Sequence, residues 1–261
     1  MIISIVNNKG GVGKTTTSVN LAHALSLLDK KVLVVDFDSQ SNATDILTEE
    51  KFEYSLYNLL DDDDTDVEKC IIQTKYKNIY LLPNVSSTGA LEPDLISELP
   101  ESLFKFKNKV REYALKNFDL TLIDNPPNMG TFVISSLLAS DFVIVPTEAS
   151  SKHSSEGLIK AVELIYDIQK EKNPNLKFLK LLLTKVDNRT LISKTVVEYI
   201  RENFPANKVF DTMIPINTDI QKAEFTGRTI FDYNSSAISA KAYMNLANEL
   251  LDTLTNKLNY I

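Results

Sequence analysis

The amino-acid sequence predicts an α/β fold: a doubly wound, mostly parallel sheet with helices on both faces. Two observations carry this. Six short apolar runs rich in Val, Ile and Leu recur along the 261 residues, and segments with helical spacing separate them. Strands buried on both faces of a parallel sheet read as near-continuous hydrophobic runs of this kind. Their alternation with helices implies right-handed crossovers.

In chain order, residues 2–6 form the first strand and 15–28 the first helix. Residues 32–35 and 79–82 are the next apolar runs. Between them lies the acidic run 61–64, continued by Asp66 and Glu68. A solvated loop explains that run better than a cation site, with Thr65 or Asp66 capping the next helix. Helical spacing at 103–117 leads to a strand at 120–123, and a helix at 131–139 to a strand at 142–145. A helix at 155–170, a strand at 179–184 and a helix at 191–202 follow. In the closing helix, 237–258, Ile238, Ala242, Leu246 and Leu250 fall about one turn apart, as a face packed on the sheet requires. The sequence shows no internal repeat and no Gly/Ser-rich linker, so a single domain over 1–261 is expected.

Composition narrows the function. With 43% hydrophobic and 24% charged residues, the chain is ordinary for a globular protein. A net charge of −7 argues against wholesale coating by nucleic acid. Cys70 is the only cysteine, which excludes an internal disulfide and any multi-cysteine metal site, and suits a reducing cytosol. The apolar start is short and lacks the basic region of a signal peptide. No stretch approaches the roughly 18 apolar residues of a membrane span. His23 and His153 show no ligand or triad pattern.

The informative stretch is NNKGGVGKTT at 7–16, directly after the first strand and opening the first helix. Gly10, Gly11 and Gly13 permit a tight loop whose backbone N–H groups converge on phosphate oxygens. The positive end of the following helix adds to that anion site. Lys14 can reach the β and γ oxygens, and the Thr15 hydroxyl can complete a Mg²⁺ shell. Against G-x-x-x-x-G-K-[ST], Asn8 stands in place of the first glycine and Lys9 is an added lysine. Two further strand ends carry acids: Asp36 and Asp38 in VLVVDFDSQ, and Asp124 in LTLIDNPP. In an open parallel sheet the strand C-termini form the ligand crevice. A carboxylate there can hold Mg²⁺ through water.

The segment at 9–16 is the deviant Walker A motif, and the chain resembles the ParA/MinD family of P-loop ATPases. The resemblance implies ATP and Mg²⁺ as cofactors, with Lys9, Gly10, Gly11, Val12, Gly13, Lys14, Thr15 and Thr16 around the nucleotide. It also implies an ATP-sandwich homodimer in which Lys9 reaches the partner subunit's nucleotide. The first acidic segment is similar to the family's D-x-D-P-Q, with Ser39 for Pro. The second is similar to D-T-P-P, with Asn125 for Thr. By that likeness Asp38 orients the attacking water, and Thr15, Asp36 and Asp124 support the metal and its waters. Val145-Pro146 with Ser154 and Gly157, the TKVDNR segment at 184–189, IPIN at 214–217 and GRTIFD at 227–232 extend the likeness over essentially the whole chain. The IPIN loop, with Pro215 and Asn217, would contact adenine.

Within the family, the tail 250–261 lacks the basic amphipathic membrane helix of MinD-like members, so no membrane partner is expected. One cysteine is too few for the cluster of nitrogenase iron-protein relatives. No helix-turn-helix domain is expected ahead of residue 2. The chain thus looks like a short ParA of the plasmid or chromosome partition type, cytoplasmic and nucleoid-associated. Such proteins bind DNA non-specifically as ATP dimers, and a ParB-like centromere-binding protein triggers hydrolysis. Residues 180–228 carry eight basic residues against six acidic ones, and Arg189, Lys222 and Arg228 are the candidate DNA contacts. The alternative is a positioning or regulatory switch with protein cargo. A small-molecule phosphotransferase or ligase would need a substrate pocket for which no motif is present.

Overall fold

A computed structural model describes residues 1–150 and 154–258. His153 and the last residues of the tail lie outside them, as does the side chain of Ser154. Seven strands form one sheet: β1 (Ile2–Ile5), β2 (Val32–Asp36), β3 (Ile72–Gln73), β4 (Ile79–Leu82), β5 (Leu120–Asp124), β6 (Phe142–Glu148) and β7 (Lys177–Thr184). Their order is β3-β4-β2-β5-β1-β6-β7, parallel throughout except where β3 runs antiparallel along β4. The helices in chain order begin with α1 (Lys14–Leu27), α2 (Asn42–Leu47), α3 (Leu56–Asp61) and α4 (Val67–Cys70). Next come α5 (Glu92–Ser97), α6 (Ser102–Asn117), α7 (Thr131–Ala139) and α8 (Ser154–Glu171). The chain closes with α9 (Leu191–Asn203), α10 (Thr218–Phe225), α11 (Ile230–Asn234) and α12 (Ile238–Leu258).

The two-residue period of the strands divides the core. Val32 and Val34 of β2 join one apolar layer with Val19, Ala22 and Leu25 of α1 and with α12. Leu33 and Val35 face the opposite layer, with Phe106 and Val110 of α6 and Phe132 of α7. On that same side Val143 and Val145 of β6 pack under α7 and α8. Every residue of β1, β2 and β5 is buried, which explains their unbroken hydrophobicity.

Two sequence expectations need correction. Along α12 the buried stripe is Ala240, Tyr243, Leu246, Ala247, Leu250 and Leu254, whereas Ile238, the first helical residue, is 58% exposed. The helix after the acidic run receives no side-chain cap from Asp66, and Thr65 donates its hydroxyl to Asp62 instead. Asp62 also accepts from Asp64 N, so the run closes on itself as a local turn. Sequence reasoning passed over β3, an edge strand of two residues, too short for any pattern to announce.

His23 is structural. On α1, its Nδ1 lies 2.6 Å from Thr229 Oγ1, and its ring packs against Tyr76 and Phe231. Burial pulls its pKa down from 6.5 to about 4, with Asp232 opposing. The unfolded chain therefore takes up this proton first as pH falls. Stability from a neutral His23 is full above pH 6.5 and declines toward pH 4, by roughly 3 kcal/mol in all. In urea unfolding across that window, His23→Gln should show a flatter fall than the natural chain. Equal slopes would mean that His23 charges as readily in the folded protein as in the unfolded one.

Candidate functional site

The chain leaves β1, crosses residues 7–13 and enters α1 at Lys14. Gly11 and Gly13 have φ of 74° and 87°, a left-handed backbone that a side chain resists. No side chain caps α1, so the N–H groups of its first turn face the loop together with the positive end of the helix. The loop is braced from three sides. Asn7 Nδ2 donates to the Pro146 carbonyl at 2.7 Å, and Asn7 Oδ1 accepts from Lys9 N at 2.9 Å. Gly157 of α8 packs so closely that a Cβ there would stand 2.8 Å from Asn7 Oδ1. Thr184, at the end of β7, donates its hydroxyl to the Val12 carbonyl at 2.8 Å.

Lys14 is only 7% exposed, and its ammonium donates to the Lys9 carbonyl at 3.1 Å. Burial lowers its pKa below the ordinary lysine value, while the Asp124 and Asp38 carboxylates hold it up. Lys9 turns to Glu148, with Nζ 3.5 Å from Oε2. The Thr16 hydroxyl donates to Glu224, and the Val12 side chain is buried, so both leave only their backbones to a ligand.

The acids converge through strand register. Asp36 and Asp124 are direct partners across β2 and β5, and Ile5 of β1 stands beside Asp124. Both carboxylates are fully buried. Asp36 Oδ1 accepts from Asp38 N at 3.2 Å. Its Oδ2 accepts from Thr44 N and Thr44 Oγ1 at 2.9 and 2.7 Å. Asp124 Oδ1 accepts from Ser18 Oγ at 2.9 Å; Oδ2 makes no close hydrogen bond among the described residues, and the nearby Thr15 hydroxyl helps keep the carboxyl charged. Burial raises both pKa values above the usual carboxylate range, and Asp124 pushes Asp36 further up. Asp36 therefore spends its oxygens anchoring residues 38–44, and any support it gives a metal passes through water. Asp124 is the carboxylate with an oxygen to offer.

A cavity of about 680 Å³ is lined by Gly10, Gly11, Gly13, Lys14, Thr15, Thr16 and Asp38. Pro215 and Asn217 line it as well. The loop at 214–217 is held by Val186, whose N–H donates to the Ile214 carbonyl and whose carbonyl accepts from Ile216 N, both at 3.0 Å. Asn217 Oδ1 caps α10 through Asp219 N, and Nδ2 donates to Ser239 Oγ at 3.1 Å. Backbone thus remains to meet a base.

The residues present fit a nucleotide polyphosphate with Mg²⁺. A buried ammonium, an uncapped helix start and the Thr15 hydroxyl line one cavity, and the fully buried Asp124 carboxylate lies against Lys14 and Thr15. Among the described residues no group of three or more His, Cys, Asp or Glu forms a metal cage. Mg²⁺ needs none, since it keeps several waters and takes one or two carboxylates.

The candidate DNA contacts lie on separate segments, and each is paired. Arg189, before α9, donates from Nε and Nη2 to both oxygens of Asp187 at 2.8 and 2.9 Å. Lys222 stands 3.6 Å from Asp219, and Arg228 3.9 Å from Asp232. Sequence reasoning missed Asn7, Ser18, Thr44, Glu148 and Glu224 as parts of the site. Of the Asp187–Arg189 pair, the two-residue spacing was a visible signal.

Comparison with known proteins identifies the family and agrees with the fold. The sequence profile of the AAA domain family matches residues 1–178. Sporulation initiation inhibitor protein Soj of Bacillus subtilis is 36% identical over 251 residues, spanning 95% of this chain and 97% of that protein. Chromosome-partitioning ATPase Soj of Thermus thermophilus is 35% identical, spanning 95% and 94%. Among solved structures, cobyrinic acid a,c-diamide synthase of Mycobacterium smegmatis, with bound ADP and magnesium, gives a TM-score of 0.82 at 27% identity. That match covers 97% of this chain and 95% of the synthase. The chain belongs to the ParA/MinD family of deviant Walker A P-loop ATPases.

Proposed function

We propose that the chain is a Mg²⁺-dependent ATPase of DNA partition. Its ATP-bound sandwich dimer grips DNA without sequence preference in the cytoplasm. A ParB-like centromere-binding protein stimulates an otherwise slow hydrolysis that releases the DNA. One observation carries the chemistry: Lys14, Thr15, Asp38 and the uncapped start of α1 line one cavity, with the buried Asp124 carboxylate beside Lys14. The likeness to a chromosome-partitioning ATPase at 35% identity supports the biological role. The likeness to the synthase is one of fold.

Bound MgATP supplies the transferable phosphoryl group and a cation that draws off its charge. The chain's own residues do the rest. Lys14 and the first N–H groups of α1 place fixed positive charge where phosphate oxygens lie. Thr15 and Asp124 supply oxygens to the cation. Asp38, its Oδ1 fixed by Gln40 N at 3.0 Å, accepts a hydrogen from the attacking water and orients it. Lys9 exchanges Glu148 for the partner subunit's phosphates, a cation supplied in trans.

A protein-cargo switch on the same cycle is favoured by one observation. Leu191 and Ile192, at the start of α9 beside Arg189, are 79% and 61% exposed, an apolar surface where DNA needs cations.

Asp38→Ala should keep nucleotide binding and the ATP-dependent dimer while losing at least about 100-fold in turnover. Lys9→Ala should lose the dimer by light scattering; undiminished turnover in the first, or a normal dimer in the second, removes the assigned role. DNA retention should require ATP, weaken steeply with salt, and rise several-fold in Asp187→Asn, which frees Arg189. An ATP dimer that ignores DNA at about 50 mM salt would transfer the assignment to protein cargo.

A further inference from the structure

The loop that carries Asp38 is also held from behind. After β4 the chain turns through residues 83–91, none of which lines the nucleotide cavity. Asn84 in this turn is 1% exposed, and its backbone N–H donates to Thr44 Oγ1 at 3.0 Å. Thr44, itself buried, has a single hydroxyl hydrogen and gives it to Asp36 Oδ2 at 2.7 Å. Thr44 N donates to the same oxygen at 2.9 Å. A hydroxyl that accepts on one side and donates on the other has no free rotation left. Further along, the turn meets the loop again at Gly89, where a Cβ would stand 3.2 Å from Ser39 Oγ. Between these two contacts Ser41 is held at φ 57°, a left-handed backbone that serine resists. Such a conformation persists only where its surroundings over-determine it.

We infer that Thr44 is a positioning residue for hydrolysis, and that Gly89 sets how far the loop stands from the turn behind it. Thr44 lines no part of the nucleotide cavity, whereas Asp38 does. The Thr44 hydroxyl closes residues 36–44 into a ring with Asp36 at one end. Asp38 is tied into that ring twice: its N–H donates to Asp36 Oδ1 at 3.2 Å, and its carbonyl accepts from Ser41 N at 2.9 Å. Asn84 contributes through its backbone, so the brace does not depend on that residue's side chain.

A slack ring displaces Asp38 from the attacking water, and about 1 Å of misplacement at such a group costs on the order of 100-fold in rate. The groups proposed to hold phosphate belong to the glycine loop and the start of α1, outside the ring. The loss therefore falls on kcat and spares KM. Gly89 acts on a smaller scale: a methyl group there presses Ser39, the neighbour of Asp38, by a few tenths of an ångström. The inference rests on the role proposed for Asp38 above.

The test is steady-state ATP hydrolysis by the full chain, measured over ATP and over Mg²⁺ in Thr44→Val, Thr44→Ser and Gly89→Ala. Thr44→Val keeps the shape but loses the hydroxyl, and should lower kcat about tenfold with KM within about twofold of the natural value. Thr44→Ser keeps the hydroxyl and should hold kcat within about threefold of the natural chain. Gly89→Ala should lower kcat several-fold, again without a change in KM. Thermal melting checks each variant; if Thr44→Val is unfolded at the assay temperature, Gly89→Ala decides the matter. Unchanged kcat in folded Thr44→Val or in Gly89→Ala, or equal losses in Thr44→Val and Thr44→Ser, overturns the inference. A rise in half-saturating Mg²⁺ that accounts for the lost rate also overturns it, because Thr44 would then act through Asp36 on the cation. Thr44→Val added to Asp38→Ala should cost nothing further, and a full additional loss would place the action of Thr44 elsewhere. The two readings fail separately. If Asp38→Ala still hydrolyses ATP, the role of Asp38 falls. If it does not, while Thr44→Val turns over normally, only Thr44 and Gly89 are reassigned.

Discussion

The structure depends on a crowding of charge at the carboxyl ends of β2 and β5. Register places Asp36 and Asp124 side by side, fully buried, with the Lys14 ammonium as the nearby cation. Two carboxylates this deep resist ionisation because water is absent and like charges repel. The surrounding chain makes the arrangement tolerable. Thr44 and the Asp38 amide satisfy Asp36, and Ser18 satisfies one oxygen of Asp124. The remaining Asp124 oxygen makes no close hydrogen bond, although the Thr15 hydroxyl lies near enough to help keep the carboxyl charged. A site of this kind is poised for a small hard cation, which removes the repulsion instead of adding to it.

Much of the architecture serves to hold the loop over that site. Asn7 ties it to β6, Thr184 ties it to β7, and Gly157 lets α8 approach without a clash. From the other side, α1 is clamped by the apolar stripe of α12 and by the network around His23. Glu224 of α10 takes the Thr16 hydroxyl, linking the glycine loop to the helix that follows residues 214–217. The acidic pair costs stability and the packing around it supplies that stability, a division common at functional sites.

The sequence made the frame legible because strands buried on both faces cannot hide: each apolar run became a strand, and the glycine loop and three acids fell at strand ends as their spacing required. The partners were illegible for a physical reason. Ser18 meets Asp124, and Thr16 meets Glu224, across separations of 106 and 208 residues, and no local period encodes such pairs. Short helices such as α2, α4 and α11 bury too few residues to show a stripe. The charge of −7 was legible but incomplete. Arg189, Lys222 and Arg228 each sit against a carboxylate two to four residues away, so the local surface is closer to neutral than a count of cations suggests. Pairs this exposed are weak and screened, and an incoming phosphate can displace them.

The buried acidic pair is best tested by thermal unfolding of the natural chain and Asp124→Asn near neutral pH, alone, with ATP, and with ATP plus Mg²⁺. Removing one buried charge should raise the melting temperature of the ligand-free protein by a few degrees. It should also erase the extra stabilisation that Mg²⁺ adds to ATP in the natural chain. A ligand-free variant that melts lower, and that still gains from Mg²⁺, would show that Asp124 stabilises the fold and does not serve the cation.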